Sequence, residues 1–350
     1  MKIALITGSC GLVGSESVDF FIKKNFHVIG IDNNLRKFFF GKDGSTLWLK
    51  KKLKKKYKNK YQHINVDIRN YKKLDLIFKK YKKKIKIIIH AAAQPSHDWA
   101  ASNPSVDFGV NATGTLNLLQ LTKKYLSKET SFIYMSTNKV YGDTPNYLNI
   151  NEFESRYDLK SNNKFYKGIN ETMSIDDCVH SLFGASKLSA DLLVQEYGKN
   201  FGLNTVCFRA GCITGINHSG AKLHGFLSYL VKNCIQKKTY TIIGYKGKQV
   251  RDNIHSSDLV RSFWEYYKNP YPGQVYNIGG GRKCSCSIIE AITILENKLN
   301  IKIKIKYQKK NRTGDHKWWI TDNSKFMKHY PKFKIDYNTE KIIKELIKIN

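Results

Sequence analysis

The 350-residue sequence is short of several things, and each shortage removes a class of protein. Its seven cysteines are scattered without paired spacing. Cys284 and Cys286 come closest to a motif, but no second Cys or His pair completes a zinc site, so no metal is expected. Free thiols without a disulfide framework fit a reducing compartment. No apolar stretch approaches the roughly 20 residues that cross a bilayer. The apolar run at residues 3–6 is too short for the core of a secretion signal and reads as a first strand. A cytoplasmic location and no membrane partner are the expectations. Internal repeats and low-complexity linkers are missing too.

Acidic residues and arginine are also scarce. Asp and Glu total 28 against 60 Lys and Arg, giving a net charge of +32, and only eight of the basic residues are Arg. Such a charge invites a nucleic-acid partner. Nucleic-acid readers lean on arginine and on recognisable modules, and the sequence shows neither. The lysines are spread among abundant Ile and Asn, as coding bias in an AT-rich genome would produce. The densest run, residues 50–60, reads as a solvated helix face or loop. An anionic small substrate is expected, and no nucleic acid.

What is present is a globular composition, 41% hydrophobic and 13% aromatic. In the first half, apolar runs at 2–7, 27–32, 61–66, 85–91 and 131–136 alternate with helical patterns at 12–24, 72–82 and 112–126. This order predicts a parallel sheet covered by helices on both faces. A long helix over 183–200 and a strand over 204–209 follow. Later the rhythm is irregular, with strands at 239–243 and 275–278 and helices at 287–299 and 339–349. The expected division is a first domain over 1–210 and a mixed lobe over 211–350, with some later strands returning to the first sheet.

The first strand runs into Thr7-Gly8-Ser9-Cys10-Gly11-Leu12-Val13-Gly14. Glycines at 8, 11 and 14 permit a tight turn, close backbone approach and close helix–strand packing, and the next helix points its N-terminal N–H groups at a pyrophosphate. Asp32 follows Gly14 by 18 residues, where a carboxylate accepts both hydroxyls of an adenosine ribose and repels a 2′-phosphate. NAD is therefore favoured over NADP, with Arg36 nearby leaving that preference open.

Thr-Gly-x-x-Gly-x-x-Gly resembles the extended short-chain dehydrogenase/reductase superfamily. Further marks occur in order: Asp67-Ile68, His90-Ala91-Ala92-Ala93, and Asn111 in Asn-Ala-Thr-Gly-Thr. The resemblance implies a Rossmann-type doubly wound α/β fold with a smaller mixed α/β C-terminal substrate lobe, and NAD as cofactor. It implies cofactor contacts from Gly8, Gly11, Leu12, Val13, Gly14, Asp32, Asn33, Asp67, Ile68, Ala91, Ala92, Ala93, Gln94, Asn111 and Lys187.

Residues 134–143, Tyr-Met-Ser-Thr-Asn-Lys-Val-Tyr-Gly-Asp, resemble the superfamily's strand-five segment, with Thr137 on the reacting hydroxyl. The companion pattern is Tyr-x-x-x-Lys, in which a tyrosine and a lysine one helical turn apart share a face. Here Phe183 stands at the tyrosine position and Lys187 remains. A phenyl ring has no exchangeable proton. Three readings stay open: another acid/base (His97, His180 or Lys187), Thr137 with a water, or binding without turnover. Among them His97 is favoured, because it follows the fourth strand where the superfamily places substrate-side residues. Sugar 4,6-dehydratases resembling this fold carry Asp-Glu after the threonine, whereas this chain has Asn138-Lys139, which argues against that dehydration.

Gly-Lys-Gln-Val-Arg-Asp at 247–252, continuing to His255 and Asp258, resembles the superfamily's Arg-Asp-x-x-His-x-x-Asp motif. It implies Arg251 on a substrate diphosphate, where a guanidinium forks onto oxygens, with Asp252, His255 and Asp258 holding the loop. Arg312 matches a second such arginine. Thr137, Asn138, Lys139, Phe183 and Arg209 complete the substrate-side set, Arg209 being either structural or site-facing. Shared stretches make the chain most similar to CDP-tyvelose (CDP-paratose) 2-epimerases. The implied activity is NAD-dependent C2 epimerisation of a CDP-type sugar by transient oxidation and hydride return, and the implied partner is a CDP- or UDP-linked nucleotide sugar. The alternatives are a C4 epimerase, an oxidoreductase or decarboxylase, and a silent nucleotide-sugar-binding protein. A homodimer through long paired helices is expected.

Overall fold

The computed structural model describes residues 1–218, 225–309, 311 and 314–349. Seven short apolar runs make one parallel sheet: β1 (Ile3–Thr7), β2 (His27–Ile31), β3 (Tyr61–Ile64), β4 (Ile85–His90), β5 (Ser131–Thr137), β6 (Thr205–Ala210) and β7 (Gln274–Ile278). Their order is β7-β6-β5-β4-β1-β2-β3. The chain builds outward from β1 to β3, then crosses back to lay β4 against the other side of β1. Both β1 neighbours are in register at its end, with Thr7 opposite Ile31 and His90. Strand order reverses there, which is where an open α/β sheet binds ligands.

β1 and β5 are nearly solid runs of buried residues, as expected of strands covered on both faces. The covering helices include α1 (Leu12–Lys23), α2 (Leu47–Tyr57), α3 (Tyr71–Tyr81), α4 (Gly114–Tyr125), α5 (Ser181–Phe201) and α6 (Ser256–Lys268). Each turns one stripe inward; α3 buries Leu74, Ile77 and Phe78 and leaves its lysines outside. Leu5, Ile88, Leu118, Phe132 and Val194 belong to one core cluster.

Some boundaries differ from the sequence reading. β2 stops at Ile31, so Asp32 opens the following loop. The helix expected from 112 begins earlier, with a π-helical turn over Gly109–Thr113 that runs into α4. The lysine run at 50–60 is largely helix α2, anchored by buried Leu49 and Leu53. α6 lies where the sequence reading places only a motif; Leu259, Val260, Phe263 and Tyr266 are fully buried.

The chain divides into two compact units that alternate along the sequence. The first comprises Met1–Val140, Leu182–Arg209 and Val260–Tyr276; the second comprises Tyr141–Ser181, Ala210–Leu259 and Asn277–Asn350. In the second, the strand Val250–His255 pairs with Cys212–Thr214, Ser285–Ser287 and Trp318–Trp319. Tyr240–Ile243 pairs in parallel with Ile305–Gln308. Its core gathers Leu230, Ile242, Cys284, Leu295, Ile342 and Leu346. The helix Ile288–Leu299 starts on a capping box between Ser287 and Glu290, which satisfies two backbone donors at once.

Candidate functional site

Gly8 leaves β1 at φ +65°, donating its N–H to Ile31 O at 2.8 Å. A Cβ there would stand 2.8 Å from Ala92 N and 2.9 Å from the Ala91 carbonyl, so the loop after β4 presses directly on this turn. A Cβ at Gly14 would lie 2.0 Å from Gly8 O, which is why α1 can start this close to the strand. Gly11 is the N-cap of α1, with no side chain bonding the helix's first amides and no acid in its first turn. Leu12 and Val13 are therefore the first residues of a helix end suited to an anion. The turn fits a dinucleotide diphosphate.

Beneath it, Thr7 Oγ1 and His90 Nδ1 are 2.7 Å apart, His90 Nε2 and Thr115 Oγ1 are 2.9 Å apart, and Thr115 donates to Asn111 O at 2.6 Å. Burial holds His90 neutral, its pKa lowered to about 3. Asn111 is saturated by protein. Its Oδ1 accepts from Gln94 N at 3.0 Å, and its Nδ2 donates to Gln94 O, Asp107 Oδ1 and Ser186 Oγ. It thus ties the loop after β4 to α5.

Asp32 is fixed by two backbone donors, Cys10 N at 2.9 Å and Asn34 N at 2.8 Å. Burial raises its pKa, against those two bonds and the Lys50 charge. Asn33 reaches Asp67 at 3.1 Å, and Asp67 also pairs with Arg69 at 2.7 Å. Ile68 packs against Gly114, where a Cβ would meet it at 2.6 Å. Arg36, the nearby cation of the sequence reading, has its guanidinium 4.7 Å from the Phe40 ring centroid.

Thr137 ends β5 half-buried, its Oγ1 accepting from Lys139 N at 3.2 Å; Asn138 beside it is buried. On α5, Lys187 is buried and donates to Met135 O at 2.7 Å, with its ammonium 4.2 Å from the Tyr134 ring centroid. Burial lowers its pKa to about 7, opposed by the charges of Asp191, Cys207 and Asp107. Phe183 is buried one turn earlier, and its ring meets the His97 ring edge-on, centroids 4.8 Å apart. His97 opens the short helix His97–Ser102, capped by Ser96. His180 belongs to the second unit, its ring nitrogens 3.7 Å from Cys178 Sγ.

Arg209 is taken into the core of the first unit. Its guanidinium forks onto buried Asp191 at 2.8 and 3.1 Å, the structural one of its two readings. Ser136 donates to the same carboxylate at 2.5 Å. In the second unit, Arg251 donates to Asp315 Oδ1, to His316 O at 2.5 Å and to Val250 O at 2.7 Å. Asp252 accepts from Gly281 N and Thr321 N, His255 bridges Ser257 and Glu345, and Asp258 accepts from Asp336 N and Tyr337 N. Arg312 lies outside the described residues.

Sequence reading passes over Asp107 and Asp191. Asp107 is a buried carboxylate whose pKa burial raises, and it accepts from Gln94 and Asn111. Neither acid stands in a recognisable motif. Each has one partner a helical turn on, Asn111 for Asp107 and Gln195 for Asp191, but the rest of its surroundings come from other segments, so its burial has no local signal.

Residues 4–279 match the NAD dependent epimerase/dehydratase family. The chain is 33% identical over 311 residues to the CDP-paratose 2-epimerase of Salmonella typhi, covering 87% of this chain and 86% of that one. It is 27% identical to the UDP-glucuronate 4-epimerase of Thermodesulfobacterium geofontis, covering 98% and 95%. Among solved structures it superposes on the Bacillus cereus UDP-glucuronic acid 4-epimerase, crystallised with UDP-glucuronic acid and NAD. That likeness has a TM-score of 0.79 at 23% identity and covers 99% and 98% of the two chains. At that identity the likeness speaks for the fold.

Proposed function

Because the chain belongs to the NAD dependent epimerase/dehydratase family, we propose that it is an NAD-dependent nucleotide-sugar epimerase that inverts C2 of a CDP-linked sugar. The observation that carries the finer reading is the 33% identity to a CDP-paratose 2-epimerase over most of both chains. Asn138-Lys139 after Thr137 adds to it, because no acid/base pair stands there to remove water from the sugar.

Gly8, Gly11, Gly14 and the start of α1 would hold the NAD diphosphate, Asp32 the adenosine ribose, and Lys187 the nicotinamide ribose. When bound, NAD supplies reversible hydride acceptance at a sugar carbon. The chain supplies position and proton transfer. Thr137 hydrogen-bonds the reacting hydroxyl. His97 takes its proton, standing against Phe183 where the ring itself has no acidic group. Lys187, with its pKa lowered to about 7 beneath the same helix face, tunes the charge there. Arg251 meets the substrate diphosphate by exchanging contacts now made to Asp315 and His316.

Incubating the purified protein with CDP-, UDP- and GDP-sugars and following products by NMR tests this. Inversion at C2 of a CDP-sugar is expected. Inversion at C4 of a UDP-sugar would replace it with the second reading, which the likeness to 4-epimerases favours. No turnover by the parent, with turnover gained in Phe183→Tyr, would make the protein a silent binder.

A further inference from the structure

Beside the glycine turn lies a cavity of about 200 Å³, lined by residues that include Cys10, Asp32, Asn34, Thr46, Lys50 and His63. All lie in the first unit. Asp32 alone would reject a 2′-phosphorylated adenosine, because a carboxylate and a phosphate repel at this range. Yet the same cavity carries a lysine, and the structure builds that lysine into place. Asp32 Oδ1 accepts from Asn34 N at 2.8 Å. Asn34, held at φ +57°, turns its own Oδ1 to accept from Thr46 N at 2.8 Å and Thr46 Oγ1 at 3.2 Å. Thr46 is the N-cap of α2, and its carbonyl accepts from Lys50 N at 3.1 Å. A continuous run of hydrogen bonds therefore fixes the base of Lys50 relative to the Asp32 carboxylate.

The Lys50 charge reaches the three other titratable groups on this wall, Cys10, Asp32 and His63, and pulls down each of them against or alongside the effect of burial. Burial, with the Lys50 and Lys54 charges behind it, lowers the His63 pKa to about 4, so His63 is neutral near pH 7. It offers a hydrogen bond without a competing charge. No hydrogen bond or ion pair commits the Lys50 ammonium to a protein partner among the described residues. The cavity thus pairs an acceptor for ribose hydroxyls with a cation for an anion at the same ribose.

We propose that Lys50 is a specificity-determining residue of the adenosine-ribose site, and that through it the protein binds NADP as well as NAD. Asp32 receives the 2′- and 3′-hydroxyls of the unphosphorylated ribose. Lys50 neutralises and bonds the phosphate of the phosphorylated one.

The test is binding, independent of any sugar. Calorimetric titration of the wild-type protein with NAD, NADP, AMP and adenosine 2′,5′-bisphosphate should give saturable binding of both dinucleotides. Lys50→Met should weaken NADP and the bisphosphate by roughly tenfold or more, as for a lost charge-assisted bond, and NAD and AMP by less than about threefold. Asp32→Asn should move the NADP-to-NAD affinity ratio the other way. Thermal melts check that each variant is folded. Lys50 is half-exposed near the start of α2, so Lys50→Met should keep the fold; Lys50→Glu is the second variant and should abolish NADP binding. Wild-type binding of NAD with none of NADP overturns the proposal. So does an unchanged affinity ratio in both Lys50 variants.

Discussion

Gly14 has no space for even a methyl group, since a Cβ would sit 2.0 Å from the Gly8 carbonyl oxygen. Gly14→Ala must push α1 off β1. Calorimetry should then show NAD affinity reduced by tenfold or more, with stability lowered by roughly 1–3 kcal/mol in thermal melts. This residue is legible in the sequence because backbone crowding in a strand–turn–helix leaves a spaced-glycine pattern. His97 is only half legible. Its residue type and place after β4 suggest proton transfer, but contact with Phe183 comes from packing between distant segments. His97→Gln is expected to lower kcat by about 10²–10⁴ with NAD affinity unchanged, as for loss of a general base. It should also remove the acid limb of the pH–rate profile, a readout that lost packing would not reproduce. An unchanged profile would return the proton-acceptor role to Lys187 or His180. Asp107 and Asp191 were not legible at all, since nothing next to them in sequence marks a buried carboxylate.

At the scale of elements, the strands and long helices follow their apolar periodicity closely. The pieces left undecided are short or lysine-coated, such as α2, whose two buried leucines are outnumbered by lysines and whose lysine run reads as either a helix face or a loop. α4 and α5 share an apolar groove of about 380 Å³ lined by residues including Phe108, Leu116, Leu192 and Leu193. Phe108 and Leu192 are exposed. A homodimer closing over this groove is the reading that such a face supports. Leu192→Glu is expected to convert a dimer to monomer in sedimentation velocity; a monomeric parent would refute the dimer. In the second unit, Ser287→Ala removes one arm of a capping box and should cost about 1 kcal/mol by chemical denaturation.

At the scale of the whole molecule, burial writes a pH dependence into the fold. His90 titrates at about 3 in the folded chain, against roughly 6.5 when unfolded. Between those values the unfolded chain binds the extra proton, so stability rises with pH through that window and drains away as pH falls from ~6.5 toward 3. His63, lowered to about 4, acts in the same direction. The melting temperature should therefore fall on acidification below about pH 6.5, and more gently in His90→Asn. A slope identical in that variant would place the dependence elsewhere. The charge of +32 is a separate matter, bearing on solubility and on attraction of anionic ligands, not on the fold.

The sequence by itself determined the parallel sheet, the phosphate-binding turn and its acid, and the absence of a phenol at position 183. Each is recorded locally, in apolar runs, in glycines that a crowded backbone requires, or in the chemistry of one side chain. Only the tertiary structure decided which charges meet. It sent Arg209 into a buried fork on Asp191, brought Lys50 to the cavity of Asp32, and stood His97 against Phe183. Such pairings join segments far apart along the chain. Electrostatic partnership depends on distance and desolvation in space, and neither is encoded in spacing along a chain.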